Sequence, residues 1–100
     1  MAVDIPEVAE VRSLLEELGE GALIARLDSF VALNEGLESK RGEDFIKVSI
    51  LGFLEGITTT LMMKYPGDER VAGLHERVRA RRAELDELFR KPRMRNLDGA

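Results

Sequence analysis

Apolar residues recur at helical intervals along almost the whole chain. In residues 4–21, Val8, Val11, Leu15 and Leu18 share one face, with Leu14 beside them. Steps of three and four residues are those of an amphipathic helix. Asp4 is a candidate N-cap with Glu7 three residues on, Pro6 suits a first turn, and Gly19 and Gly21 supply the stop. Residues 22–42 place Leu23, Leu27, Phe30, Val31 and Leu37 on a second stripe. Gly36 weakens its last turns by about 1 kcal/mol relative to Ala, so the end is expected between Asn34 and Lys40. A polar loop, ESKRGED, follows.

After Pro66, Gly67 and Asp68, a turn with a built-in N-cap, residues Val71, Leu74, Val78, Arg81, Leu85 and Leu88 alternate in steps of three and four. That is the seam of a packed helix with one arginine in it, and Arg81 there calls for an acidic partner, Glu55 or a glutamate of the first helix. Asp86–Arg90 and Glu87–Lys91 add i,i+4 pairs in the favourable order. Pro92 is expected to end the helix, since it lacks an N–H and clashes with the preceding turn. The expected organisation is one helical domain over 1–91 and a short basic flexible tail over 92–100.

Residues 44–67 are the ambiguous stretch. A helix puts Ile46, Ile50, Phe53, Leu54, Ile57 and Leu61 on one face. A hairpin over about 45–64 is the alternative, because Thr58, Thr59 and Thr60 favour strands and Ile46–Ile50 alternates with polar residues. That hairpin would expose Phe53 and Leu54 in its turn and leave a two-stranded sheet of marginal stability. The helix is preferred, and the expected fold is all-α, a four-helix bundle or compact helical array. A membrane span is not expected, because Lys47 and Glu55 would each cost about 2.5–3.5 kcal/mol at a bilayer centre.

This central helix is apolar nearly all round, which normally means burial on every side. At 100° per residue, Val48, Leu51 and Met62 cluster around Glu55, away from the core face, and Ser49, Gly52, Gly56 and Thr60 form a third strip. Small residues four apart admit a close helix. Three other short helices can hardly cover all of this surface. The expectation is therefore a homo-oligomer, a dimer, with Val48, Leu51, Glu55, Met62 and Arg81 at the interface.

Composition fits one compact domain: 100 residues, 44% hydrophobic and 34% charged. The absence of Cys excludes disulfides, thiolate metal sites and cysteine nucleophiles. Residues 1–20 carry Asp4, Glu7, Glu10, Glu16, Glu17 and Glu20 against Arg12 alone, unlike a secretory signal, and a cytoplasmic location is expected. Charge is unevenly spread. Residues 1–69 hold fourteen acidic and six basic residues, and residues 70–100 hold five acidic and nine basic. The basic third can meet the acidic body of its own chain, a second copy, or nucleic acid. Arg77, Arg79, Arg82, Arg93 and Arg95 are the candidate phosphate contacts, although a sequence pI of 5.1 is unlike that of a nucleic-acid-binding domain.

Little else suggests chemistry. His75 is the one histidine, and HERVR lacks the second His of a zinc helix motif. Glu16, Glu17 and Glu20 share a helix end, but carboxylate metal bundles need Glu and His repeated on several helices. No phosphate-cradling glycine loop occurs. No cofactor and no independent catalysis are expected. The expected function is protein–protein interaction by a small accessory or regulatory protein, with a nucleic-acid-associated regulator as the alternative.

Overall fold

The computed structural model describes residues 5–36 and 42–99, with side chains as far as Leu88. Four helices run in the order α1 (Pro6–Leu18), α2 (Gly21–Gly36), α3 (Glu43–Lys64) and α4 (Glu69–Gly99). The fold is all-α, and the hairpin alternative over 45–64 is replaced by one helix of 22 residues. The three threonines that favoured strands are accommodated by back-bonding. Thr58, Thr59 and Thr60 donate their hydroxyls to the carbonyls of Leu54, Glu55 and Gly56 at 3.1, 2.8 and 3.2 Å, which satisfies them within the helix.

The helix ends follow from local chemistry. The N-cap of α1 is Ile5, with Pro6 at the first helical position where its missing N–H is no loss. The expected cap Asp4 and the expected stripe residue Leu37 lie outside the described residues. Gly19 takes a left-handed φ of 73°. The N–H of Glu20 then reaches the Leu15 carbonyl at 2.9 Å and that of Gly19 the Glu16 carbonyl at 3.2 Å, the double bond of a Schellman stop. At the start of α4, the Asp68 carboxylate accepts the Arg70 backbone N–H at 2.9 Å, as an N-cap should.

One difference concerns the last helix, whose backbone continues through Pro92 to Gly99 where a stop and a flexible tail were expected. An internal proline removes a single ladder bond and bends a helix; the residues on either side are good helix formers.

α3 packs most extensively on α4, then on α2 and α1, while α2 and α4 do not touch among the described residues. The layout is therefore a layer of three helices, α2–α3–α4, with α1 lying across one side of it. The core is drawn from these contacts: Val11, Leu14 and Leu15 of α1, Leu27 of α2, Ile46, Ile50, Leu54, Ile57 and Leu61 of α3, and Val71, Leu74 and Val78 of α4 are all buried. The α4 seam is buried in its first half only. Leu85 is half-buried against the core and Leu88 is 62% exposed, because α4 outruns the body of the bundle.

Leu54 and Ile50 sit at the centre of this core. Truncation of either to Ala is expected to cost about 2–5 kcal/mol, measured as a lowered midpoint in urea unfolding followed by circular dichroism.

Candidate functional site

Among the described residues, the side of α3 opposite α1 is a broad surface that no other helix covers; its own α3 residues are uncharged, and Arg26 of α2 stands at its edge. Buried α3 residues fill an arc from Ile46 through Leu54 to Leu51. α2 flanks one edge of that arc and α4 the other. The remaining arc carries Ser49, Gly52, Gly56, Thr59, Thr60 and Met63, with Phe45 at its N-terminal end. Met63 is 79% exposed and Phe45 44%. The two charged side chains inside the helix turn away from this arc: Lys47 pairs with Glu43 at 3.6 Å and Glu55 with Arg82 at 2.6 Å.

On the α2 side the surface continues as two shallow grooves. One, of about 410 Å³, is lined by Arg26, Ser29, Phe30, Leu33 and Phe53. The other, of about 310 Å³, runs over Arg26, Phe53, Gly56 and Thr60. Phe30 and Phe53 stack with ring centroids 4.2 Å apart and planes at 5°, joining α2 to α3 beneath the grooves. Leu33 stands 64% exposed above them.

Gly52 and Gly56 have no intrachain reason to be glycine. Neither has a positive φ. A Cβ at Gly56 would meet nothing within 4 Å, and one at Gly52 only the Arg82 side chain at an ordinary 3.8 Å. A glycine inside a helix costs about 0.5–1 kcal/mol relative to Ala, so α3 carries two unforced penalties on its open side.

The expected interface residues are therefore only partly placed as expected. Leu51 is a correction: it is 1% exposed and belongs to the core, because α4 covers the flank on which it lies. Val48 is half-buried and Met62 is exposed at the edge of the same flank. Glu55 is held by Arg82. Arg81 lies 3.7 Å from Glu7, the first-helix glutamate the seam pattern called for. This pair joins α1 to α4 within the chain, and the second Glu7 oxygen is buried without a hydrogen-bond partner. The open surface is the small-residue strip, not the Leu51 flank.

The candidate phosphate contacts are engaged with carboxylates where they are described. Arg77 donates to Glu10 at 2.6 Å, Arg79 to Glu76 at 3.0 Å, and Arg82 to Glu55 at 2.6 Å and Asp86 at 3.1 Å. The Arg93 and Arg95 side chains lie outside the described residues, as do those of Arg90 and Lys91. Glu17–Arg70 at 2.9 Å, Glu10–Arg77 and Glu7–Arg81 form an antiparallel ladder from α1 to α4. Glu17–Arg70 and Glu10–Arg77 are largely exposed, and such pairs are worth about 0–1 kcal/mol each, whereas the Glu7 side chain of the third pair is only 14% exposed. They set the register of α1 on α4 more than they hold the bundle together.

His75 is not a free surface imidazole. Its Nδ1 lies 2.7 Å from the hydroxyl of the buried Thr58, which also reaches the Leu54 and Glu55 carbonyls at 3.1 Å. With the hydroxyl proton on a carbonyl, Nδ1 carries the proton and donates to Thr58; the pair ties α4 to α3. Among the described residues no group of His, Asp and Glu is arranged to hold a metal ion. Glu16, Glu17 and Glu20 instead meet Arg12, Arg70 and Lys64 in turn.

Residues 8–99 match a family described as protein of unknown function (DUF3216). The chain belongs to the DUF3216 family. A solved protein of similar shape is described as the crystal structure of a singleton protein PF1176 from P. furiosus. It is 43% identical, with a TM-score of 0.76, over 82% of this chain and 89% of that one. No curated protein matches the chain. Membership therefore adds weight to the fold and leaves the chemistry to the surface itself.

Two tests follow from the polar network. Lys64 at 2.7 Å and the Tyr65 hydroxyl at 2.5 Å both donate to Glu20. The Lys64 bond chiefly, then the Tyr65 bond, lowers the Glu20 carboxyl below its ordinary value; Arg12 does the same for Asp28 and Arg70 for Asp68. A carboxyl depressed in the folded state contributes stability that is present above its unfolded pKa and lost as pH falls through the folded one. Glu20 also raises Tyr65 and Lys64, and their share is lost as pH rises through the folded values. Thermal melts across pH should show Glu20→Gln flattening the fall in stability below the ordinary carboxylate range, with Asp28 and Asp68 keeping part of it. For the seam pair, Arg81→Leu should destabilise by about 1–3 kcal/mol by stranding Glu7. The double variant Glu7→Leu/Arg81→Leu should recover most of that loss in the same melts.

Proposed function

We propose that this protein is a small, non-catalytic, homodimeric accessory or regulatory protein that acts by protein–protein interaction, with the open side of α3 as its contact surface. The observation that carries this reading is the arc of α3 without charged side chains of its own, five turns long and bordered on α2 by the exposed Leu33 and by Arg26. The charged residues of the rest of the chain are concentrated elsewhere, most of them on α1 and α4, in pairs with each other. Interface centres are depleted in charge and enriched in aromatic residues and Met, which describes Phe30, Phe53, Phe45 and Met63. α3 meets the length and apolarity of a membrane span, but its Ile46–Leu61 side is packed against the other three helices, and the open side is too small-featured to serve as a lipid anchor. A soluble partner in the cytoplasm suits it better. The nucleic-acid alternative has less support, since the described arginines of α4 already meet carboxylates.

Sedimentation equilibrium at micromolar concentration should give twice the 11.2 kDa chain mass, with little dependence on salt. Met63→Glu should weaken association about tenfold or more, since burying an unpaired carboxylate costs upward of about 1.4 kcal/mol, and should leave the melt of the separated chain unchanged. A clean single-chain mass would overturn the reading. A gel shift with DNA or RNA that fades steeply as salt rises would move it to the alternative.

A further inference from the structure

We infer that the groove between α2 and α3 binds a small amphiphilic carboxylate, a free acid whose carboxylate pairs with Arg26 and whose apolar body lies over Phe30, Phe53 and Leu33. The site goes beyond the dimer reading and needs one chain only.

Arg26 is set apart from the other cations of the molecule. Every other lysine and arginine whose side chain is described lies within 3.7 Å of a carboxylate of the chain. Arg26 has no such partner among the described residues. The reason lies in the sequence. One turn away on α2 are Ala22, Leu23, Ser29 and Phe30, and the α3 residues that share its groove include Gly52, Phe53, Gly56 and Thr60. Asp28, two residues on, accepts from Arg12 through both oxygens at 3.0 Å. Glu55 is held by Arg82 at 2.6 Å. The Arg26 guanidinium therefore keeps its N–H donors for water or for an anion from outside.

Its surroundings select the rest of the ligand. Arg26 lines both grooves, of about 410 and 310 Å³, volumes at the lower end of the range of about 300–1,000 Å³ for small-molecule sites. The stacked Phe30 and Phe53 rings give the larger groove an aromatic floor, and the exposed Leu33 stands at its edge. From Arg26 to Leu33 is about 10 Å along α2 at 1.5 Å per residue, the reach of a medium-length carbon chain. The planar guanidinium fork matches both oxygens of one carboxylate. A phosphate dianion would find only half of its charge matched. Ser29 lines the same groove one turn from Arg26, and its hydroxyl serves as a second donor to the headgroup. Gly52 and Gly56 leave the α3 side of the smaller groove without side chains, so the headgroup reaches Arg26 unobstructed.

Decanoate is the probe, kept below its micelle concentration, titrated into the full chain by calorimetry and followed by amide shifts in nuclear magnetic resonance. It should bind more tightly than decanol, which lacks the charge, and than decyltrimethylammonium, which reverses it. The shifts should centre on Arg26, Ser29, Leu33 and Phe53. Arg26→Gln, at an exposed position, should melt with the parent, weaken decanoate about tenfold and leave decanol unchanged. Leu33→Gln should weaken both. Decanoate that binds no better than decanol, or as well to Arg26→Gln as to the parent, would overturn the inference. So would shifts centred on Arg70 and Arg77, in the groove between α1 and α4, or inorganic phosphate binding as tightly as decanoate. Titrating the Met63→Glu chain in parallel takes any second copy out of the comparison, so failure of the dimer reading and failure of this site are read separately.

Discussion

The fold depends on how much of α3 three neighbours can cover. α3 supplies six of the buried aliphatic side chains and touches every other helix. Around it α4 takes one flank, α2 the other and α1 the side between them. A helix about 10 Å across offers more perimeter than three neighbours can enclose, and the described residues hold no fifth helix. Whatever lies on the fourth side of α3 must therefore tolerate water or meet something from outside. The sequence is adjusted to that position: the covered sides carry Ile and Leu, and the uncovered side carries Gly, Ser and Thr.

Charge organises the opposite side of the molecule. The acidic excess of the first two-thirds and the basic excess of the last third meet in the α1–α4 ladder of Glu17–Arg70, Glu10–Arg77 and Glu7–Arg81. One exposed pair contributes at most about 1 kcal/mol, against about 2–5 kcal/mol for one core leucine. The ladder cannot be the main source of stability. What it does is favour one register of α1, since a shift by one turn would leave Glu17 with no arginine opposite it. Among the described residues, the arginines of the last third thus find carboxylates inside the chain.

Much of this was legible in the pattern of apolar residues. The stripes of α1 and α3 and the first half of the α4 seam are the core, and Arg81 does face a first-helix glutamate. What the pattern could not give was which flank of α3 each neighbour would take. Val48, Leu51 and Met62 look more like an unburied surface than Ser49, Gly52 and Gly56 do, because hydrophobicity marks surface that wants cover without saying where the cover comes from. α4 covers Leu51, and the weaker-looking strip is the open one. The Phe30–Phe53 stack and the Glu20–Lys64–Tyr65 cluster went unread for a related reason: they join positions more than twenty residues apart, and no local spacing reports them. The His75–Thr58 bond was hidden by the threonine run, which read as strand preference until back-bonding absorbed it.

The composition of the open strip also bears on how strongly the protein can associate. A strip of Leu and Ile on the uncovered side of α3 would give tight pairing, but it would expose a large sticky surface whenever the partner was absent, and such patches are aggregation liabilities. Glycine, serine and threonine present little apolar surface when open, so the separated chain is tolerable in water. When a second backbone arrives, the same small side chains let it come close, and van der Waals contact along both helices replaces the missing bulk. The helix bears the conformational cost of two glycines at all times in order to keep this choice open. On the proposed reading, that trade points to a pair of moderate strength held mainly by the exposed Met63 and Leu33. Such a pair can form and part with concentration, and its chains remain folded when apart because the Ile50–Leu54–Leu61 core lies wholly on the other side of the helix.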